Sequence, residues 1–435
     1  MHRSLRLKLF SFLGLATWMS VALCCACAGG QGAAPEVVST ALSNGMRIDC
    51  VERQNEPIVA IDLWIRAGSR EETRSDAGSA HFVEHVVFDG TGDRPGSQCD
   101  SQVEAVGCSL TGATLPDGVH FFGVAPAGSV PTVLQVLSDI VQHATASQEA
   151  VDRERQVILN ELALRDIDPV QRLTARLFRD AFGHQPYSRS PGGEPADIRL
   201  RGRDTIAAFY HQFYQPGRAV LVLVGDIQPA VAAAAAAPFA SWKSTAAPAG
   251  PGVSIPLPAP AGSPAFDSGE QLVGVAWPAP AQARLRTAAA ARASAVWLEH
   301  RIRSTPGVTA RHVIAVVIPR EQSSLLICTA MTANSTSAAA FVAAAEHAAA
   351  DLAATPPEPK QVLACSAAVL GNDLFTDETD VGLAHTIGLA EVTGGALPQE
   401  ETGLETHVDG PAMQQFARAY LLRKPWVATA ERSTR

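Results

Sequence analysis

Two histidines and a glutamate in "GSAHFVEHVVFDGT", residues 78–91, have the spacing of groups that share one face of a helix. On an α-helix His81 and His85 lie one turn apart and can direct two imidazoles at one ion, with Glu84 falling beside His85. Two neutral imidazoles leave a Zn²⁺ ion electron-poor, and a carboxylate within reach of a water in an open position can take its proton as that water attacks a carbonyl. The order His-x-x-Glu-His reverses the commoner His-Glu-x-x-His zinc helix. With 12 histidines in the chain, chance produces such a match with a probability of roughly a few per cent, so a third ligand is required. The stretch "EAVDRERQVILNELALRD" (149–166) offers Glu161, with Glu154 two turns earlier on the same face and Val157 and Ile158 on the apolar side. Two acids on a partly apolar face also suit a solvated stripe, and the spacing leaves both readings open.

These groups need a scaffold, and the surrounding pattern alternates between strands and helices. "PIVAIDLWIRAGS" (57–69) reads as a strand, 78–88 as a helix and "HFFGVAP" (120–126) as a strand. Helices are expected over 129–144, 148–165 and 203–214, and the apolar run "AVLVLVGDI" (219–227) reads as a strand buried on both faces. The alanine tract 230–237 reads as ordinary helix, because Ala is the best helix former. The class is α+β. Residues 244–265, "STAAPAGPGVSIPLPAPAGSPA", are too rich in Pro, Ala, Gly and Ser to sustain helix or central strand and read as an interdomain linker. Beyond it, 414–430 echoes 207–224 at a constant offset of 207, setting Phe209 on Phe416, Phe213 on Tyr420 and Val220 on Val427. "QLVGVAWPAPA" (271–281) is likewise a faint counterpart of "VAIDLWIRAGS" (59–69). Duplicated halves of similar fold are the expectation.

At 435 residues, 47% hydrophobic and 18% charged, the chain has apolar material for two cores and is globular. Residues 1–30 stand apart: Arg3, Arg6 and Lys8 precede an apolar run from Leu9 to Ala28, the pattern of an export signal. Ala26-Cys27-Ala28 suits simple cleavage, while Cys24, Cys25 and Cys27 suit a lipoprotein signal, which would anchor the protein to a membrane. A single uncleaved membrane helix is a third option, disfavoured by the small residues that end the run. Removing residues 1–28 takes three basic residues and no acid, from −9 to −12, which disfavours nucleic acid as a partner. Cys50, Cys99, Cys108, Cys328 and Cys365 then remain, an odd number with no zinc-knuckle or disulfide spacing; buried thiols are expected, and Cys328 with Cys365 if any bridge exists.

Three stretches carry a family resemblance: "AGSREETRSDAGSAHFVEHVVFDGT" (67–91), "ERQVILNE" (154–161) and "QPYSRSPGGEPADIRLRGRDTIAAFYHQFYQPGRAVLVLVGDI" (185–227). They resemble the insulinase and pitrilysin superfamily of inverted-zincin metallopeptidases, specifically its short branch, similar to mitochondrial processing peptidase subunits and bacterial homologues. The 76 residues from His85 to Glu161 are a separation characteristic of the family, and the likeness covers essentially residues 37–230. The resemblance implies two homologous α/β-roll domains, antiparallel sheets packed with helices, forming half of a clamshell. A catalytic domain would span 34–243, the linker 244–265, and an abridged, inactive homologous domain 266–435. It further implies one Zn²⁺ per chain held by His81, His85 and Glu161, Glu84 as general base, and Glu154 as an acid supporting that set.

Two departures qualify what is carried over. Where the family has Asn-Ala-x-Thr at a substrate-binding edge strand, this chain has "TGAT", with Thr111 in the Asn position and Thr114 closing the stretch. A shorter hydroxyl can still bond a peptide backbone, with altered reach. In the second half "RIRSTPGVTARHVI" (301–314) has Ala310 where a substrate-holding Tyr is expected. The resemblance implies an endopeptidase of the bacterial envelope, periplasmic or lipid-anchored, acting on peptides or unfolded segments added as an extra strand. It also implies a heterodimer with a homologous subunit lacking the motif, or a homodimer. The competing class is a noncatalytic binding or assembly subunit. His120, His143, His184, His211, His300, His312, His347, His385 and His407 lack ligand spacing and are expected at the surface or satisfied in the core. Phe121 and Phe122 could line a peptide site beside the edge strand, though core packing is the simpler expectation.

Overall fold

The computed structural model describes residues 35–244, 260, 266 and 269–431. The export signal and, apart from Ser244 and Pro260, the linker lie outside the described residues. In chain order the first half runs β1 (Val38–Ala41), β2 (Arg47–Glu52), β3 (Ile58–Ile65), α1 (Ser79–Val87), α2 (Gly96–Ala105), β4 (Thr111–Thr114) and β5 (Val119–Pro126). It continues with α3 (Val130–His143), α4 (Gln148–Arg165), α5 (Pro169–Phe182), α6 (Pro195–Leu200), α7 (Arg203–Phe213), β6 (Ala219–Gly225) and α8 (Pro229–Ala235). The second half holds β7 (Gln271–Ala279), α9 (Leu285–Arg303), β8 (Arg311–Ile318), β9 (Ser324–Thr332), α10 (Ser335–Ala354) and α11 (Pro359–Asp377). It ends with α12 (Asp380–Thr393), α13 (Pro398–Thr406), α14 (Gly410–Phe416) and β10 (Trp426–Glu431).

Two sheets result, ordered β1-β2-β6-β3-β5-β4 and β10-β7-β9-β8. The second order repeats the last four strands of the first, so the duplication expected from sequence is a duplication of topology. The offset of 207 is nevertheless one residue out at the strand. Val220 faces the outer core of its sheet with Val222 and Val224, whereas Val427 faces the inner core of the other. Because side chains alternate, a one-residue slip exchanges faces. Among the described residues the second half has no counterpart of β1 and β2.

Each sheet is covered on both faces, once by its own half and once by the other. Helix α3 shows why its own half supplies a cover: Val130, Val133, Leu134, Leu137 and Val141 recur at three- and four-residue spacing and are all buried. The opposite faces are covered by crossing helices. From the first half, α5 lays Leu173, Leu177, Phe178, Ala181 and Phe182 against Leu272, Ala276, Ile327 and Trp426 of the second sheet. From the second half, α12 lays Leu383, Ala384 and Ile387 against Trp64, Val220 and Val222 of the first sheet. Burying one such Leu or Phe contributes about 1.5–3 kcal/mol, so the halves are held together by their own cores.

The expected elements fall within a few residues of those found. The strand expected over 57–69 stops at Ile65, and the chain then closes into a 3₁₀ turn at Ser69–Glu71 before the metal-spaced helix. The five cysteines among the described residues are free and buried, Cys328 and Cys365 included, so the suggested bridge between those two is not made. No helix among the described residues is long and apolar enough to cross a membrane.

Candidate metal centre

Helix α1 is anchored at both its apolar face and its start. Ala80, Phe82, Val83, Val86 and Val87 enter the first core, leaving His81, Glu84 and His85 turned toward neighbouring elements. The carboxylate of Glu72 accepts from the backbone N–H groups of Gly78 and Ala80, 2.9 Å each, satisfying donors that every helix start leaves unpaired. Burial pushes Glu72 up to about 8 against the opposing pull of those two bonds. Across from α1 lies α4, capped where Ser147 accepts from Ala150 N–H at 3.1 Å. Ile158 and Leu162 are buried and Val157 half-buried, so Glu154 and Glu161, seven residues apart, share the face turned to the histidines.

The three expected ligands converge. Nε2 of His81 and Nε2 of His85 are 3.2 Å apart, and Oε2 of Glu161 lies 3.4 Å from each. Tetrahedral zinc holds N and O donors at about 2.0–2.2 Å, which sets donors roughly 3.3–3.5 Å from one another. The three atoms therefore stand at the spacing that such an ion requires, and two imidazoles with one carboxylate are a donor set that zinc takes. On the far side of His85, Nδ1 lies 2.8 Å from Oε2 of Glu154, which fixes the ring so that Nε2 faces the centre.

Glu84 sits next to this triangle. Its Oε2 accepts from the Thr114 hydroxyl at 2.7 Å and lies 3.4 Å from Nδ1 of His81. Burial alone would raise the Glu84 carboxyl, but the bond and charge of His81, the charge of His85 and the Thr114 hydroxyl outweigh it and bring it to about 2. Burial would lower His81, but Glu161 and Glu84 lift it to about 9. Without a cation the His81 imidazole is thus held protonated between the two carboxylates, and a metal has to displace that proton.

Strand β4 is one of the two edges of the six-stranded sheet, paired among the described residues only with β5, and runs beside α1. Strand alternation splits the two threonines of "TGAT": Thr114 reaches Glu84, whereas Thr111, three residues away, faces the other side of the sheet. Of the pair suggested as substrate contacts, only Thr114 joins the centre. Sequence reasoning missed Gly112, which lies on the same side as Thr114 and stands where the resemblance expects Ala: a Cβ there would stand 2.8 Å from Cγ of Glu84, so a larger side chain would have to displace that carboxylate. It also missed Glu72, whose only signal is an acid several residues ahead of the helix. Phe121 points into the first core, and Phe122 stacks on His120. In the second half Ala310 packs at the margin of that half's core, Arg301 pairs with Asp351 at 3.0 Å, and Arg303 donates to the Val313 carbonyl.

Comparison with known proteins bears on the family and the fold. Residues 48–193 match the family described as Insulinase (Peptidase family M16), and residues 202–306 match Peptidase M16 inactive domain. The chain is 30% identical over 194 residues to cytochrome b-c1 complex subunit 1, mitochondrial, of Bos taurus, covering 45% of this chain and 40% of that protein. It is 32% identical over 186 residues to the mitochondrial-processing peptidase subunit beta of Lentinula edodes, covering 43% and 40%. To an uncharacterized zinc protease of Mycobacterium tuberculosis it is 27% identical over 188 residues, 43% of each chain. The chain thus matches less than half the length of these relatives. Among solved structures, a protease from Helicobacter pylori superimposes with a TM-score of 0.80 at 18% identity, over 91% of this chain and all of that one. The peptidase M16 inactive domain from Pseudomonas fluorescens gives 0.76 at 16%, over 91% and 98%. At such identities the likeness is one of fold.

Proposed function

This chain belongs to the insulinase (peptidase M16) family, and from that premise we propose that it is a zinc-dependent endopeptidase acting on peptides or unfolded protein segments. The observation that carries the reading is the triangle of His81, His85 and Glu161 donors, 3.2–3.4 Å apart, with the Glu84 carboxylate held against it. When bound there, zinc would supply a Lewis acid that polarises a scissile carbonyl and makes water a better nucleophile. The remaining roles fall to the protein's own groups. Thr114 and His81 occupy Oε2 of Glu84, which leaves Oε1 to accept the proton of an attacking water and pass it to the leaving amine. Glu154 keeps the His85 ring in place, and β4 offers unpaired backbone groups on which an extended peptide can add as a further strand, with Gly112 leaving room for Glu84 beneath it.

An extended substrate suits a strand edge better than a folded one, which favours peptides and unfolded segments. The signal-like residues 1–30 support action in the cell envelope, periplasmic or lipid-anchored. The names of two relatives identify them as subunits, which supports a homologous partner subunit for this chain, or a second copy of it.

The test is zinc content together with hydrolysis of an unstructured quenched-fluorescent peptide library by the full chain, alongside Glu84→Gln. Cleavage that a chelator stops and that Glu84→Gln abolishes, with zinc still bound, supports the proposal. Zinc bound without turnover, alone or with a partner subunit, would leave the noncatalytic assembly reading in its place.

A further inference from the structure

The structure assigns Asp62, His120 and His385 to a second divalent-cation site, on the opposite face of the first sheet from α1, joining the second half of the chain to the strands behind the substrate edge. One ligand-capable atom from each of the three lies within 4.8 Å of the others. Asp62 comes from β3, His120 from β5 and His385 from α12, so three separate elements from both halves bring their donors to one point. Nothing in their sequence spacing announces this.

The site is built and rigid. Asp62 and His120 are 2% and 4% exposed, and Oδ1 of Asp62 lies 2.9 Å from Nδ1 of His120. The His120 imidazole is clamped between aromatic rings, with Trp64 stacked at 4.2 Å and Phe122 at 4.7 Å. Trp64 also lies 5.3 Å from the His385 ring, and His385 and His120 are 5.2 Å apart between centroids. Helix α12 comes this close because Gly388, one turn beyond His385, carries no side chain: a Cβ there would fall 1.9 Å from Nε1 of Trp64. A satisfied core pair would need only Asp62 and His120. The third donor, delivered by a helix of the other half, makes the set two imidazoles and one carboxylate, which suits Zn²⁺ and similar borderline cations. On binding, the cation takes the place of the proton shared between Asp62 and His120, and a remaining position falls to water. Such a cation would pin α12 onto β3 and β5, the strands that support β4.

The inference is independent of catalysis, because each centre can be emptied separately. The probe is Zn²⁺, with Co²⁺ as a coloured substitute, added to metal-depleted full-length protein. Wild type is expected to take up two equivalents. A variant with His81→Ala and Glu161→Ala should retain one, with a rise in Tm on adding zinc and a Co²⁺ visible band from the remaining imidazoles. Adding His385→Gln to that variant should abolish both the equivalent and the band. His385 is only half-buried, so this substitution leaves the fold assayable by its zinc-free Tm, and His385→Gln alone in wild type should remove one of two equivalents. No zinc uptake by the His81/Glu161 variant would overturn the proposal. So would uptake unchanged by His385→Gln, which would mark an adventitious ion elsewhere.

Discussion

Replacing Glu154 by Ala tests whether the chain's own scaffold, beyond the three ligands, tunes the metal centre. Oε2 of Glu154 lies 2.8 Å from Nδ1 of His85, and its other oxygen pairs with Arg153 at 3.5 Å. A hydrogen bond involving a charged group is worth about 1.5–3 kcal/mol. The Glu154 side chain is 16% exposed, so some of that is screened and the lower half of the range applies, ~1.5–2 kcal/mol, or roughly 10- to 30-fold in zinc affinity. This agrees with the ~10- to 100-fold found when groups that orient metal-bound histidines are removed. Glu154→Gln keeps an acceptor without the charge and should lose about half as much free energy. The assay is competition for zinc against a chromophoric chelator at fixed pH, with Tm in the absence of metal as a control for folding. If Glu154→Ala holds zinc within about twofold of wild type, the orienting role is wrong.

Gly112→Val places a Cβ 2.8 Å from Cγ of Glu84 and 2.9 Å from its Oε1, with two further methyl groups beyond the Ala that the resemblance expects here, so peptide hydrolysis should fall at least ~10-fold while zinc affinity stays near that of wild type; equal loss of both would show that the strand supports the ligands instead. In the second half, burial raises Glu405 to about 8 and Glu401 to about 7, with Asp373 adding to the rise and Arg292 opposing it. Both groups therefore bind protons more tightly folded than unfolded: their contribution is complete below about pH 4.5 and is lost as pH rises through 7 and 8. Denaturant midpoints should fall over this window, by up to about 1.4 kcal/mol per pH unit for each group, and Glu405→Gln should flatten the dependence.

Local rules carried much of the scaffold. Helices α3, α4 and α7 and strands β3, β5 and β6 follow from apolar periodicity, and their ends lie within a few residues of where caps and turns place them. The metal-spaced pair on α1 was equally legible, because residues four apart on a helix must share a face. Its own helix face offered Glu161 with the solvated-stripe reading left open, and only the family resemblance decided between them, since nothing local ties α4 to α1. Strand alternation could have separated Thr111 from Thr114, but which face meets Glu84 is decided by how α1 crosses the sheet. Likewise the free thiols of Cys328 and Cys365 reflect where α11 lies over the second core, not their spacing.

The sequence by itself determined the elements, the duplicated order and the local donors His81, Glu84 and His85, because these depend on neighbours within a turn or a strand. The tertiary structure decided what long-range packing alone can decide: that α5 and α12 exchange sheets, that Gly112 yields space to Glu84, and that His385 arrives beside Asp62 and His120. Such meetings are set by how faces fit after the chain has folded, and a burial pattern along one element records that a face is covered without recording what covers it.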